Sequence, residues 1–432
     1  MSLMSKIAVA HSLDTPAQPR PESTSRIHLE ETAFKGSNST ARISILTGGG
    51  DKPYALGLAA ALIEQGVAFD FIGSDYVDDP SLHNQALVHF LNLRGDQDTK
   101  SGRLSKAWRV LKYYAKLIAY AASARPKIFH ILWNNKFELF DRTLLLLYYK
   151  LLGKKLVLTA HNVNTAARDS ADTALNRLSL RTQYSLADYI FVHTEKMKAE
   201  LLRDFPAPDS KVIVIPFGIN NTLPNTALTA VGARQRLGLG RADKVILFFG
   251  NIAPYKGVEY LASAWAEVAP KMSDARLVIA GRLKAQDASY WDDIHQTLVA
   301  GDLGRRVLEK IEYIPDEDVE IYFKAADVLI LPYTTIFQSG VLFLGYSFGL
   351  PVIAADVGSL KEDIIEGETG FVFPPRSATH LAKALTEFFR SDLYLQLSQR
   401  RQKIRDFAND RYSWSKVAKI TTACYSKLLH HD

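Results

Sequence analysis

From Ile43 onward the chain alternates short apolar runs with longer stretches of helical character, and it does so in two successive series. This alternation constrains the fold more than any other feature, because strands that are apolar on both faces need a layer of helices on each side. In the first series "RISILTGGGDKPYALGLAAALIEQGVAFDFIGSD" reads as strand, glycine turn, helix and strand. "KIFHILW", "LVLTAHNV", "YIFVHTE" and "KVIVIPFGI" add strands that each end in polar residues. The second series holds "VILFFGNI", "ARLVIAGR", "VLEKIEYI", "DVLILPY" and "PVIAAD", separated by helical stretches such as "VEYLASAWAEVA" and "DVEIYFKAA". The expected class is α/β, with two doubly wound domains facing each other across a cleft and ligands at the carboxyl ends of the strands.

A polar connector, "NNTLPNTALTAVGARQRLGLGRADK", separates the series and is expected to hold a short helix at most. The reading is therefore a tail without fold at 1–40, a first domain at 41–217 and a second at 218–410, with a helix at 411–432 returning to the first. With 47% hydrophobic and 23% charged residues the composition is that of a soluble globular protein. The single cysteine, Cys424, excludes internal disulfides and thiolate metal clusters, and fits a reducing compartment. "SKIAVAHSLD" is broken by His11 and Asp14 too early for a secretory leader, so a cytoplasmic location is expected. The net charge of +6 suggests an anionic partner.

Between Asp327 and Asp356, "VLILPYTTIFQSGVLFLGYSFGLPVIAA" has no charged side chain. Pro332, Gly349 and Pro351 interrupt it too often for a membrane span, and it reads as strand, loop, helix from Ser339 to Phe348, and strand. The first turn of such a helix offers unpaired N–H groups to a phosphate; equally, Ser339 could cap a core helix. In "FFGNIAPYKGVEYLASAW" Lys256 stands at a strand-to-helix turn, where a flexible cation can reach phosphate oxygens, although a lone lysine is more often solvated. The spacing is not that of a P-loop.

"GNIAPYKG", "LVIAGR", "YFKAADVLILPY", "GLPVIAADVGSLKEDIIEGETGFVFPP" and "RYSWSKVA" resemble, in order and spacing, the carboxyl-terminal half of the family 4 (group 1) retaining glycosyltransferases. "TGGG", "LVLTAHNV" and "VIVIPFGIN" resemble their acceptor domain, so the resemblance runs from about Arg42 to the end. It implies the GT-B fold, two facing Rossmann-like domains, and transfer of a sugar from a nucleotide-sugar donor to a carbohydrate or lipid-linked acceptor hydroxyl with retention, in polysaccharide or glycolipid biosynthesis. By position it makes His161 and Lys256 the catalytic pair, with Lys256 on the donor diphosphate. It places Gly250, Asn251, Gln338, Ser339, Gly340, Val341 and Glu362 at the donor, and Gly49, Gly50 and His161 on the acceptor side. His130 and His193 also end strands and are open alternatives to His161.

Two departures stand out. Ile336 and Leu344 occupy positions where the family often carries glutamates, and Asn251 one where it often carries arginine. A noncatalytic sugar-nucleotide-binding partner of another transferase, a GT-B epimerase and a phosphorylase are the alternatives. No cofactor or metal is expected, because Asp316, Glu317 and Asp318 read as first-turn helix residues.

From Lys100 to Phe137 there is no acidic residue, while Lys100, Arg103, Lys106, Arg109, Lys112, Lys116, Arg125, Lys127 and Lys136 are basic. Within 103–122, Leu104, Leu111 and Ile118 recur at heptad spacing beside Trp108 and Ala115. This basic amphipathic helix suits an anionic membrane surface at the inner face of the plasma membrane, or packing against the sheet. No nucleic-acid module accompanies it. "LLLLYYKLLGKK" from Leu144 is expected to be a core helix.

Overall fold

The computed structural model describes residues 43–97, 102–168, 171–219 and 223–430; the expected tail at 1–40 and Lys100 lie outside these. Seven parallel strands make the first sheet, in the order β3-β2-β1-β4-β5-β6-β7. They are β1 (Ile43–Leu46), β2 (Phe69–Gly73), β3 (Val88–Asn92), β4 (Ile128–Ile131), β5 (Lys155–Thr159), β6 (Tyr189–Val192) and β7 (Val212–Val214). Six parallel strands make the second, ordered β10-β9-β8-β11-β12-β13. These are β8 (Lys244–Phe249), β9 (Ala275–Ala280), β10 (Val307–Lys310), β11 (Val328–Leu331), β12 (Val352–Ala355) and β13 (Gly370–Phe373).

Both sheets have the Rossmann order. Ile43 of β1 pairs with Phe69 of β2 on one side and Ile128 of β4 on the other. Ile246 of β8 likewise pairs with Val328 of β11. The winding reverses between β1 and β4 and between β8 and β11, so the loops after these strands diverge and open a crevice. Every residue of β1, β4, β11 and β12 is buried, which explains why β11 and β12 read as unbroken apolar runs and why β1 and β4 are broken only by Ser44 and His130.

Seven helices matter to the site: α1 (Lys52–Glu64), α2 (Arg103–Ser123), α3 (Leu146–Leu151), α4 (Val258–Val268), α5 (Asp316–Ala325), α6 (Gly340–Ser347) and α7 (Trp414–His430). Although last in the chain, α7 packs on α1, and its Val417, Cys424 and Tyr425 belong to the same core cluster as β1 and β2. The connector contains a short helix, Ala230–Arg236. Asp316, Glu317 and Asp318 lie in the first turn of α5, whose N-cap residue is Pro315.

Two elements depart from expectation or choose between alternatives. The leucine-rich segment is not a core helix on all sides: Leu145, Leu146 and Tyr149 are buried, but Leu144 is 63% and Leu151 86% exposed. A π-helical turn, Asp141–Leu145, precedes α3 and shifts which side chains face inward. In α2 the helix packs through Tyr113, Tyr114, Leu117 and Ala121, while Leu104 (88%), Trp108 (69%) and Leu111 stay exposed. The heptad stripe is thus on the outside. The two helices adjoin, since the Tyr148 hydroxyl donates to the Ile118 carbonyl at 3.0 Å.

Candidate functional site

The turn after β8 depends on a glycine. Gly257 has φ +65°, and a Cβ there would lie 2.0 Å from the Pro332 carbonyl oxygen, so both backbone conformation and space demand its absence. A 3-10 turn, Pro254–Lys256, leads into this glycine and delivers Lys256 to the crevice, where it is only 6% exposed. Its ammonium lies 4.0 Å from the centre of the Tyr333 ring and 5.2 Å from that of Tyr255.

Tyr333 also acts on the neighbouring helix. Ser339 is the N-cap residue of α6 but makes no side-chain cap bond; its Oγ lies 3.1 Å from the Tyr333 hydroxyl instead. The first turn of α6 therefore keeps the uncapped N–H groups and the positive dipole end that suit an anion. Ser339 thus holds the N-cap position without a side-chain cap bond. Lys256, Gln338, Ser339, Gly340 and Val341 line one wall of a cavity of about 300 Å3.

Residues from the other sheet's layer and from the connecting chain close the opposite wall. Asp51 caps α1 by accepting from the Tyr54 N–H at 3.0 Å, and both line the cavity with Phe217 and Trp414. Trp414 donates from Nε1 to the Ile219 carbonyl at 2.9 Å. Its ring fits because Gly57 and Gly218 have no side chains: a Cβ would approach it to 2.2 and 2.3 Å respectively. Ile336 and Leu344 face the same cavity.

The other expected donor residues are placed differently. Gly250 follows β8 with φ +118°, and a Cβ there would lie 3.6 Å from Val341 Cγ2; Asn251 beside it is exposed. Neither lines the cavity. Glu362 is exposed, and its carbonyl accepts from Arg411 at 2.9 Å. Its neighbour Asp363 is buried, accepting from Gln338 Nε2 at 3.3 Å and from the Tyr412 hydroxyl at 2.7 Å. Burial pushes the Asp363 carboxyl up to about 6, against the opposing pull of these two donors.

His161 follows β5 and stacks on Trp133, with ring centres 4.4 Å apart at 7°. Tyr54 meets it edge-on at 4.6 Å. Its Nδ1 lies 3.1 Å from His193 Nε2, while its own Nε2 is buried without a hydrogen-bond partner. Burial, with smaller contributions from His193 and His130, holds its pKa well below the usual range, so the ring is neutral. It lines a separate cavity of about 170 Å3 with Trp133, Asn134, Arg142 and Gln183. Gly49 and Gly50 belong to this neighbourhood: a Cβ on Gly50 would lie 2.0 Å from the Trp133 ring, and one on Gly49 2.1 Å from Arg94 Nη1. His193 is buried, and burial lowers its pKa to about 4. His130 is a core residue, 2.6 Å from the Tyr425 hydroxyl and 2.7 Å from Thr159 Oγ1, with its pKa lowered to about 3 by burial.

The structure thus gathers Lys256 with residues 338–341, and Gly50 and His161 around Trp133, with Gly49 against Arg94; Tyr54 touches both groups. Tyr333, Asp363, Tyr54 and Trp414 were not singled out from the sequence. For Tyr333 a signal existed, a polar aromatic closing the strand at a winding reversal; for Asp363 the pair "ED" left two carboxylates one residue apart and no way to tell which turns inward. Among the described residues no group of His, Cys, Asp and Glu side chains converges as a metal site.

Comparison with known proteins agrees with this architecture. The family described as Glycosyltransferase Family 4 matches residues 48–223, and that described as Glycosyl transferases group 1 matches 243–391. A D-inositol 3-phosphate glycosyltransferase of Corynebacterium aurimucosum is 28% identical over 275 residues, covering 61% of this chain and 64% of its own length, just under two thirds. Among solved structures, a sucrose-phosphate synthase from Thermosynechococcus elongatus superposes with TM-score 0.72 at 20% identity, over 90% of this chain and 99% of that one. The Anabaena protein HepE in complex with UDP does so with TM-score 0.67 at 16% identity, over 89% and 99%. At these identities the two structures speak for the fold.

Proposed function

Because this chain belongs to the family 4 (group 1) glycosyltransferases of the GT-B fold, we propose that it transfers a sugar from a nucleotide-sugar donor to an acceptor hydroxyl with retention of configuration. The observation that carries the reading is the pairing of a buried lysine with an uncapped helix start on one cavity wall. Departure of the donor diphosphate concentrates negative charge on its oxygens, and preorganised cations and N–H dipoles lower that barrier. Lys256 supplies the cation, and the amides at the start of α6 supply the dipoles. A β-phosphate oxygen then accepts the proton of the attacking hydroxyl on the face the leaving group vacates, which retains configuration without a protein nucleophile. His161, neutral and with Nε2 unpartnered, supports a hydrogen-bonding role toward sugar on the acceptor side, reached past Tyr54.

UDP is the first nucleotide to test, since a protein of the same fold binds it. Lys256→Ala is expected to lower turnover by about 10²–10³ while the fold persists; unchanged turnover overturns the assignment. Ile336 and Leu344 favour a second reading, a sugar-nucleotide binder that transfers nothing, because neither side chain can hydrogen-bond a sugar. Donor binding without hydrolysis or transfer would select it.

The exposed leucines of the Asp141–Leu151 segment and of α2, flanked by exposed Lys112 and Lys116, support work at an anionic membrane surface in polysaccharide or glycolipid synthesis. No described helix is long and apolar enough to cross a membrane.

A further inference from the structure

Two side-chain tethers, in place of a cap, hold the start of α6. One is Ser339, whose Oγ lies 3.1 Å from the Tyr333 hydroxyl. The other is its neighbour Gln338, which lines the same cavity wall and donates from Nε2 to Asp363 Oδ2 at 3.3 Å. Asp363 closes a 3-10 turn, Leu360–Asp363, in the loop after β12, and the residues ahead of α6 rest on that loop. The Ser359 N–H donates to the Phe337 carbonyl at 2.8 Å. Gly358 has φ +56°, and a Cβ there would lie 1.9 Å from the Ile336 carbonyl oxygen, so the two loops meet backbone to backbone.

Asp363 is only 3% exposed. Its Oδ1 accepts from the Tyr412 hydroxyl at 2.7 Å, and its carbonyl accepts from the hydroxyl of Tyr346, within α6, at 2.9 Å. Both donors to the carboxylate, Gln338 and Tyr412, are neutral, and burying a carboxylate on neutral partners carries a cost that an apolar side chain would avoid. An apolar side chain could not anchor Gln338. That anchor matters because a helix whose first N–H groups are left for a ligand must be held by something other than a cap on those groups.

We propose that Asp363 is a positioning residue: by anchoring Gln338 it fixes the chain ahead of α6 so that the Gly340 and Val341 N–H groups face the donor diphosphate. This role presupposes the donor diphosphate of the proposed transfer reaction, and adds a carboxylate that does not touch it. Through Tyr412 the same carboxylate ties the start of α6 to the segment that leads into α7.

Titration calorimetry of UDP and of uridine on the full chain tests it, because a displaced helix start affects the diphosphate and not the nucleoside. Gln338→Ala and Asp363→Ala should each lower the ratio of UDP to uridine affinity about tenfold, and the double variant no further, since both break one contact. Asp363→Asn should keep the ratio, its amide oxygen accepting from Gln338 and its Nδ2 donating to the Tyr412 hydroxyl. Gln338 is half-buried in a loop, so Gln338→Ala reports even where Asp363→Ala does not fold. Equal losses for UDP and uridine, additive losses in the double variant, Asp363→Asn as damaging as Asp363→Ala, or a ratio unmoved by Gln338→Ala overturns the positioning role. Lys256→Ala, measured in the same way, reports on the donor reading. A ratio that falls there but not in Gln338→Ala overturns the positioning role alone, and a ratio unmoved by Lys256→Ala overturns the donor reading with it.

Discussion

At the scale of single residues, the site is surrounded by titratable groups that burial has forced toward neutrality. His130, His161 and His193 all have pKa values lowered by burial, so they contribute stability above the ordinary histidine range and lose it as pH falls. Asp363 has the opposite sign: its pKa is raised to about 6, so its contribution is full at low pH and fades as pH rises from about 4 to 6. The three imidazoles therefore make stability fall on acidification, and Asp363 opposes that fall between about pH 4 and 6. Urea unfolding between pH 5 and 7 should show stability falling with acidification, and Asp363→Asn should steepen that fall. A shallower acid loss in the variant would contradict the placement of Asp363.

At the scale of elements, turns and helix starts decide where function sits. Gly257→Ala puts a methyl into the Pro332 carbonyl at positive φ, and should cost more than about 2 kcal/mol and weaken nucleotide binding by displacing Lys256. Gly340→Ala, whose nearest neighbour would be Phe217 at 4.0 Å, should leave the melting temperature unchanged or raise it slightly. Equal losses in both would mean that the turn, and not the glycine's geometry, is misjudged. These elements were legible: the strands, the glycine turn and the helix beginning at Ser339 follow from apolar runs and punctuation. What the sequence could not tell was orientation. "LLLLYYKLL" carries leucines on every side of a helix, so nothing in its period says that Leu144 and Leu151 face outward. Nor could it tell that Tyr333 would take the Ser339 hydroxyl, a contact set by how β11 and α6 meet.

At the scale of the whole molecule, polar contacts among the described residues join the two sheets' layers across the crevice. Lys196 donates to the Gly358 carbonyl at 2.7 Å, Ser359 to Thr194 at 2.9 Å, and the backbone crossing is tied where the Ile219 N–H meets the Tyr412 carbonyl at 2.9 Å. Trp414 and Phe217 fill the space between, with Phe217 stacked on Phe343 at 5.1 Å. The outer face of the first sheet's layer makes its own prediction. Replacing Leu144, Leu147 and Leu151 together by serine should abolish sedimentation with anionic vesicles and leave thermal stability within about 1 kcal/mol, since these side chains are exposed. Undiminished vesicle binding would remove the membrane reading.

The central claim is that a diphosphate lodges between the Lys256 ammonium and the start of α6. A crystal structure grown with UDP tests it most directly. The account predicts phosphate oxygens within hydrogen-bonding distance of Lys256 Nζ and of the Gly340 and Val341 N–H groups, with Ser339 still turned to Tyr333. A diphosphate bound elsewhere, with Lys256 resting on Tyr333 and the first turn of α6 untouched, would contradict it.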